Sequence, residues 1–449
     1  MRLEKNLEKV VEENKKAELV NYVHRIIRGD LPPSELIYKS LNNIKEENAK
    51  FNSYITIIDP SENASILDKM VRMKHGDLIG IPIAVKDNIF TKNIRTTLAS
   101  RIYKDFIPDY DADVIISLKN ADALIIGKTN LHALAGGVSN VSSDFGPVKN
   151  PHNTERISGG SSGGSAVTVA YGSVPASLGT DTFGSIRIPA SLCGVVGYKP
   201  SYNLISTNGL YPTAWSLDTI GVFTRSVTDA SYLISVLTNN AIDFSEVING
   251  NISKKLRLGY LVDERAEFEV ESEFMRLLPI LEDNGTEITK ISMDLGKITS
   301  IARTIRLSES ASFHYELFTQ REQDYPKDIA ELIRIGVKIP AHEYIRALRL
   351  RGEMLRGFLK YFNNIDAIIT PTVPIVAPKI EDVREAELKF RDILTRYISI
   401  ASFFGSPAIS LPAGKINSLP WGIQLIGKPN EDEKLLKISR QIEMMLKYQ

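Results

Sequence analysis

Three residues could do chemistry together: Lys86, Ser161 and Ser185. Lys86 closes the apolar run Ile81-Pro-Ile-Ala-Val85, and the two serines lie in stretches so rich in glycine that backbone must approach something closely or adopt positive φ. A serine hydroxyl is a weak nucleophile and needs an adjacent base. A lysine can be that base only when neutral, which requires desolvation or neighbours that lower its pKa. The apolar run before Lys86 offers such an environment, so acyl transfer without histidine is within reach. Ser162 is the obvious rival to Ser161, and residue type alone does not separate them.

Both serines fall within Ile157–Pro200, which is not a flexible linker. Val167, Val169, Leu178, Ile186, Ile188 and Val195 are interleaved with its small residues, whereas glycine–serine linkers carry few apolar residues. Two motifs in the chain are decoys. Ile126-Gly-Lys-Thr129 resembles the end of a phosphate-binding loop, but the glycine required five residues before Gly127 is Asp122. Gly159-Gly-Ser-Ser-Gly163 matches a nucleophile elbow, yet the preceding Asn150–Arg156 reads as a polar loop instead of a buried strand. The histidines at 24, 75, 132, 152, 314 and 342 show no short metal spacing, so neither a metal nor another cofactor is expected.

The elements that must position these residues alternate between helix and apolar strand, which argues for an α/β layered fold. Strands are expected at 53–58, 80–88, 123–126 and 366–374, with a hairpin formed by 407–411 and 421–426. Helices are expected within 1–50, where Ser34 can cap, at 112–120, and after a capping serine at Ser226. From 240 to 364 the chain reads as mostly helical, with Ile345, Leu348, Leu355, Leu359 and Phe362 on one inward face. The last helix should bury Leu435, Ile438, Ile442 and Leu446. Ser185–Leu192 should open a short helix, with Asp181 and Arg187 pinning its turn.

The stretch from Gly80 to Asp229 resembles the amidase-signature enzymes, and weaker matches return at Thr370-Pro-Thr-Val-Pro, Ser406-Pro-Ala-Ile-Ser and Gly422-Ile-Gln-Leu-Ile-Gly. The resemblance implies one domain over 1–449, an α/β/α sandwich around a large mixed β-sheet. Within it 1–60 is helical cover, 61–230 the signature core, 240–364 mostly helical and 365–449 C-terminal strands and helix. It also implies a Ser–Ser–Lys triad: Ser185 as nucleophile, Ser161 as bridging serine after a cis Gly160–Ser161 peptide, and Lys86 as base. The N–H groups of Thr182, Phe183, Gly184 and Ser185 would form the oxyanion hole. Two positions depart from the family: Phe183 stands where glycine is usual, and Ala133 where glutamate is common.

One branch of that family hydrolyses free amides. Another is the A subunit of a tRNA-dependent amidotransferase, which takes ammonia from glutamine and passes it to partner subunits. The second branch needs an Asp and an Arg in the C-terminal half. Alignment misses Asp392 by three residues and leaves Glu331 or Leu332 at the arginine position, near Arg334. The free amidase is therefore the expected function, and its alternative is the amidotransferase A subunit. Ser139, Phe183 and Asp392 are the substrate-binding candidates. Lys+Arg equals Asp+Glu at 54 each, which removes a bulk electrostatic reason to expect nucleic acid or an anionic membrane. The expected partner is a small-molecule amide, with no membrane and no direct nucleic acid outside an amidotransferase complex; a homodimer is left open. The single cysteine, Cys193, and the charged N-terminus lead to a cytoplasmic expectation.

Overall fold

Ile81-Pro-Ile-Ala-Val85 becomes a strand with no solvent face, as a continuous apolar run should when both sides of a sheet are covered. The computed structural model of the chain describes residues 16–70, 75–250, 255–263 and 269–446. The charged N-terminal segment thus lies outside the described residues.

Eleven strands form one mixed sheet. Its order runs Tyr54–Ile57, Leu124–Thr129, Pro82–Lys86, Ala176–Asp181, Thr219–Thr224, Val196–Lys199, Ala408–Ile416, Leu419–Ile426, Ala367–Pro371, Arg257–Tyr260 and Glu287–Lys290. Pro82–Lys86 lies parallel to both neighbours, whereas the middle of the sheet is antiparallel. Helices cover the sheet, making the expected α/β/α sandwich. The small-residue helix Gly163–Tyr171 packs on Ala176–Asp181, and Arg187–Cys193 packs on the hairpin Ala408–Ile426. The hairpin turns at Asn417 and Ser418, both at positive φ.

Ser226 caps Val227–Leu237 by accepting the Asp229 N–H at 3.1 Å. The 240–364 region contains more than helix, because Arg257–Tyr260 and Glu287–Lys290 extend the sheet edge. Its inward stripe also needs correction: Ile345 is exposed, and in Ala341–Tyr361 the buried residues are Ala347 and Phe358. That long helix carries many charges and rests on its neighbours with only part of the apolar face. Ser34 does not cap, since Pro32 precedes a helix that begins at Pro33.

Candidate active site

Parallel strands end at the same edge of a sheet, and this places Lys86 beside the strand carrying Thr180 and Asp181. Lys86 Nζ donates to Ser161 Oγ at 2.8 Å and to Thr180 Oγ1 at 2.7 Å. Asn88 Nδ2 also donates to Thr180 Oγ1, at 3.2 Å, so the hydroxyl that steadies the lysine is itself held. Lys86 is fully buried, and burial lowers its pKa to about 7 against the opposing pull of Asp181 and Asp218.

Ser161 sits just ahead of the helix Gly163–Tyr171, after a cis Gly160–Ser161 peptide bond. The neighbouring hydroxyl has another use. Ser162 Oγ donates to the Thr180 carbonyl at 3.1 Å and accepts the Thr180 N–H, fastening its loop to the strand. The lysine contact therefore belongs to Ser161. Ser185 lies in the turn after Ala176–Asp181, nearly buried, and its backbone carbonyl accepts the Ser162 N–H at 3.2 Å. Its hydroxyl-bearing side chain lines a cleft together with Thr182, Phe183 and Thr213. Among the described residues that hydroxyl makes no hydrogen bond, so the link from Ser185 to Ser161 is not closed here. Such contacts commonly tighten only once substrate is seated.

Asp181 and Arg187 hold this turn. Asp181 accepts the N–H groups of Gly184 and Ile186 and both forks of Arg187. Arg187 spends its other donors on the Ile398 carbonyl, Gln424 Oε1 and Ser402 Oγ. Burial opposes the Asp181 charge, but Arg187, Lys199 and the Gly184 N–H outweigh it and hold the carboxyl below its ordinary range. The expected oxyanion set needs one correction: the Gly184 N–H is committed to Asp181 Oδ1 at 2.7 Å. Thr182, Phe183 and Ser185 are the remaining candidates. Positive φ falls on Gly184, at 98°, and not on Phe183, so the bulky residue is tolerated. The helix beyond begins at Arg187, two residues later than expected.

The substrate-binding candidates divide. Phe183 and Asp392 line the cleft, whereas Ser139 does not. Ser139 is buried behind the wall formed by Gly136, Gly137 and Val138, and donates to Glu387 Oε2 at 2.7 Å. Arg334 is also elsewhere, on an outer surface, paired with Glu322. In its stead the cleft contains Arg303, Arg306 and Arg391. Arg303 stands 3.9 Å from Asp392. No motif pointed to these arginines, because they come from two helices far apart in sequence, Leu295–Arg321 and Glu387–Leu394. Thr180 and Asn88 were closer to view, being next to Asp181 and two residues beyond Lys86.

Two further groups surround the site. Asp218 accepts the Thr182 hydroxyl at 2.5 Å and the N–H groups of Thr213 and Ala214, and burial raises its pKa to about 6. His132, Asp328 and Glu387 bring ligand-type atoms within 4.8 Å of one another, a grouping invisible in the sequence because each comes from a different region. Its contacts read as a clamp: His132 Nδ1 accepts the Asn140 N–H, which leaves Nε2 to donate to Asp328 at 2.9 Å.

A mixed-sheet α/β protein with a buried lysine joined to a serine beside a serine-lined cleft falls in the class of amide-bond hydrolases. Residues 35–436 match the family model described as Amidase, and the chain belongs to that family, the amidase-signature enzymes acting on carbon–nitrogen amide bonds. It is 35% identical to the A subunit of glutamyl-tRNA(Gln) amidotransferase from Sulfolobus acidocaldarius over 95% of this chain and 98% of that one. To the protein of the same name from Persephonella marina it is 33% identical, over 92% and 94%. A solved structure titled "Crystal structure of amidase" superimposes with a TM-score of 0.88 at 30% identity, covering 95% of this chain and 99% of that one. The A subunit of glutamyl-tRNA(Gln) amidotransferase from Thermotoga maritima superimposes with a TM-score of 0.78 at 34% identity, covering 92% and 91%. No described helix is long and apolar enough to cross a membrane.

Proposed function

We propose that the chain is a glutaminase of the amidotransferase A-subunit kind, which releases ammonia from the side-chain amide of glutamine for use by partner subunits. The observation that carries this reading is the presence of Asp392 and Arg303 in the same cleft as Ser185. An amino acid presents an ammonium and a carboxylate, and this pair offers each its opposite charge. The relatives that are amidotransferase A subunits support the same assignment. The expectation of a free amidase rested on an aspartate and an arginine that alignment did not place, and Asp392 with Arg303 from another helix would supply both charges.

In the proposed reaction Ser185 Oγ attacks the amide carbonyl carbon while Ser161 takes its proton and passes its own to neutral Lys86. The 2.8 Å contact then carries a proton from Ser161 to Nζ. The N–H groups of Thr182, Phe183 and Ser185 would stabilise the oxyanion, one such donor being worth roughly 2.7–4 kcal/mol. The relay returns a proton to the nitrogen, ammonia leaves, and a seryl ester remains. Water, deprotonated through the same relay, attacks the ester and releases the acid and Ser185.

Ammonia release from glutamine, asparagine and a panel of simple amides tests the proposal, first on the chain alone and then with amidotransferase partner subunits. Glutamine turnover that rises with partners is expected. The closer superposition on the solved amidase favours the second reading, a free amidase. Rapid turnover of simple amides with glutamine inert would select that reading instead.

A further inference from the structure

Arg306 is a charged group of the cleft that the proposed chemistry leaves unused. It reaches the cleft from Leu295–Arg321 and is only 8% exposed. Among the described residues its guanidinium has no hydrogen-bond or ion-pair partner. The other buried arginines near the site each have at least one hydrogen-bond partner, although Nε and Nη2 of Arg391 have none. Arg187 has Asp181, Gln424, Ser402 and a carbonyl. Arg391 donates to the Gly136 carbonyl and lies in the field of Glu387 and Asp328. Arg306 instead faces like charges: burial first, then Arg391 and Arg303, lower its pKa to about 9. A buried guanidinium without a counter-charge is costly, and its planar fork of donors matches a carboxylate or phosphate.

We propose that Arg306 is an oxyanion-binding subsite of the Ser185 cleft, filled by a carboxylate on the acyl half of the amide or by a free oxyanion. The proposal rests on reading that cleft as the substrate site, but not on glutamine being the substrate. An amino acid held by Arg303 and Asp392 would bring no net charge to the cleft, and Arg306 would still lack its anion. The subsite therefore favours acyl halves with a carboxylate beyond that zwitterion, or activation by an inorganic oxyanion.

The test uses the full chain and two amides of equal chain length, succinamate and butanamide, which differ by a carboxylate in place of a methyl group. Ammonia release is followed at constant ionic strength, with and without inorganic phosphate. Succinamate should be preferred in kcat/KM, and Arg306→Met should lower the succinamate-to-butanamide ratio roughly 10- to 100-fold, as for loss of a hydrogen bond to a charged group. The ratio is insensitive to partial misfolding, which lowers both values. Arg306→Lys should keep part of the preference. If the subsite takes a free oxyanion, phosphate will instead stimulate butanamide turnover in the unmodified chain and not in Arg306→Met. Succinate binding measured by calorimetry needs no turnover and should also weaken in Arg306→Met. A substrate ratio, phosphate response and succinate affinity all indifferent to Arg306→Met would overturn the proposal. Inert glutamine with an Arg306-dependent succinamate preference would instead remove the glutaminase reading and leave the subsite standing.

Discussion

At Lys86 burial and charge pull in opposite directions. Desolvation wins and brings the ammonium pKa to about 7, while Asp181 and Asp218 keep it from falling further. The proposed relay uses the neutral amine, so kcat/KM should fall about tenfold per pH unit below that value and level off above it. Lys86→Arg cannot deprotonate and should be nearly inactive at every pH, with folding checked by circular dichroism. An active arginine variant would place the base elsewhere. Asp218→Asn removes one of the two carboxylates that raise the Lys86 pKa, so the acid limb of the profile should move to lower pH. It should also lower kcat, because Thr182 loses its anionic partner. An acid limb that stayed in place would separate Asp218 from the lysine. Ser185→Ala should retain the fold and lose several orders of magnitude in turnover; continued labelling by a serine-directed acylating inhibitor would move the nucleophile.

The elements explain why those residues meet, and how far that could be read in advance. Lys86 and Thr180 share a sheet edge because Pro82–Lys86 and Ala176–Asp181 run parallel; the first strand announces itself as an apolar run ending in lysine, whereas Ala176-Ser-Leu-Gly-Thr-Asp181 has no apolar run to mark it in the sequence. The Ser226 cap and the hairpin closed at Asn417 were legible for the same local reasons. Arg257–Tyr260 and Glu287–Lys290 were not, because each has four residues, and the second is mostly exposed and carries a charge at each end. The arginines of the cleft were hidden for a different reason: on paper they are charges on helices, and only tertiary packing turns them inward. The Asp181–Arg187 tie lies between, since both residues were noticed but their partners at 398, 402 and 424 were not. Arg187→Met leaves Asp181 buried without its counter-charge and should cost about 3–5 kcal/mol of stability. Urea unfolding would measure it; a loss under about 1 kcal/mol would show that the N–H groups of Gly184 and Ile186 suffice.

Across the whole molecule the cleft depends on how one long helix is carried. Leu295–Arg321 buries Leu295, Ile298, Ala302 and Ile305 in an apolar cluster with Tyr397, Ile400, Ala401 and Phe403, and this aims Arg303 and Arg306 at the Ser185 turn. On another side it meets the helix Lys327–Val337, where Gly336 comes so close that a Cβ would stand 2.2 Å from the Leu307 carbonyl oxygen and 2.7 Å from Ala311 Cβ. Neither neighbour is a flexible side-chain end, so the two helices would have to separate. Gly336→Ala gains helix propensity of up to about 1 kcal/mol, yet the overpacking typically costs about 1–3 kcal/mol. We expect a lower Tm, together with a weakened preference for the carboxylate-bearing amide, because Leu307 is the next residue after Arg306 and must yield first. Arg306→Met should remove the same preference without lowering the Tm, since it deletes an uncompensated buried charge. A Gly336→Ala chain with unchanged Tm and unchanged substrate ratio would mean that this helix contact does not set the position of the cleft wall.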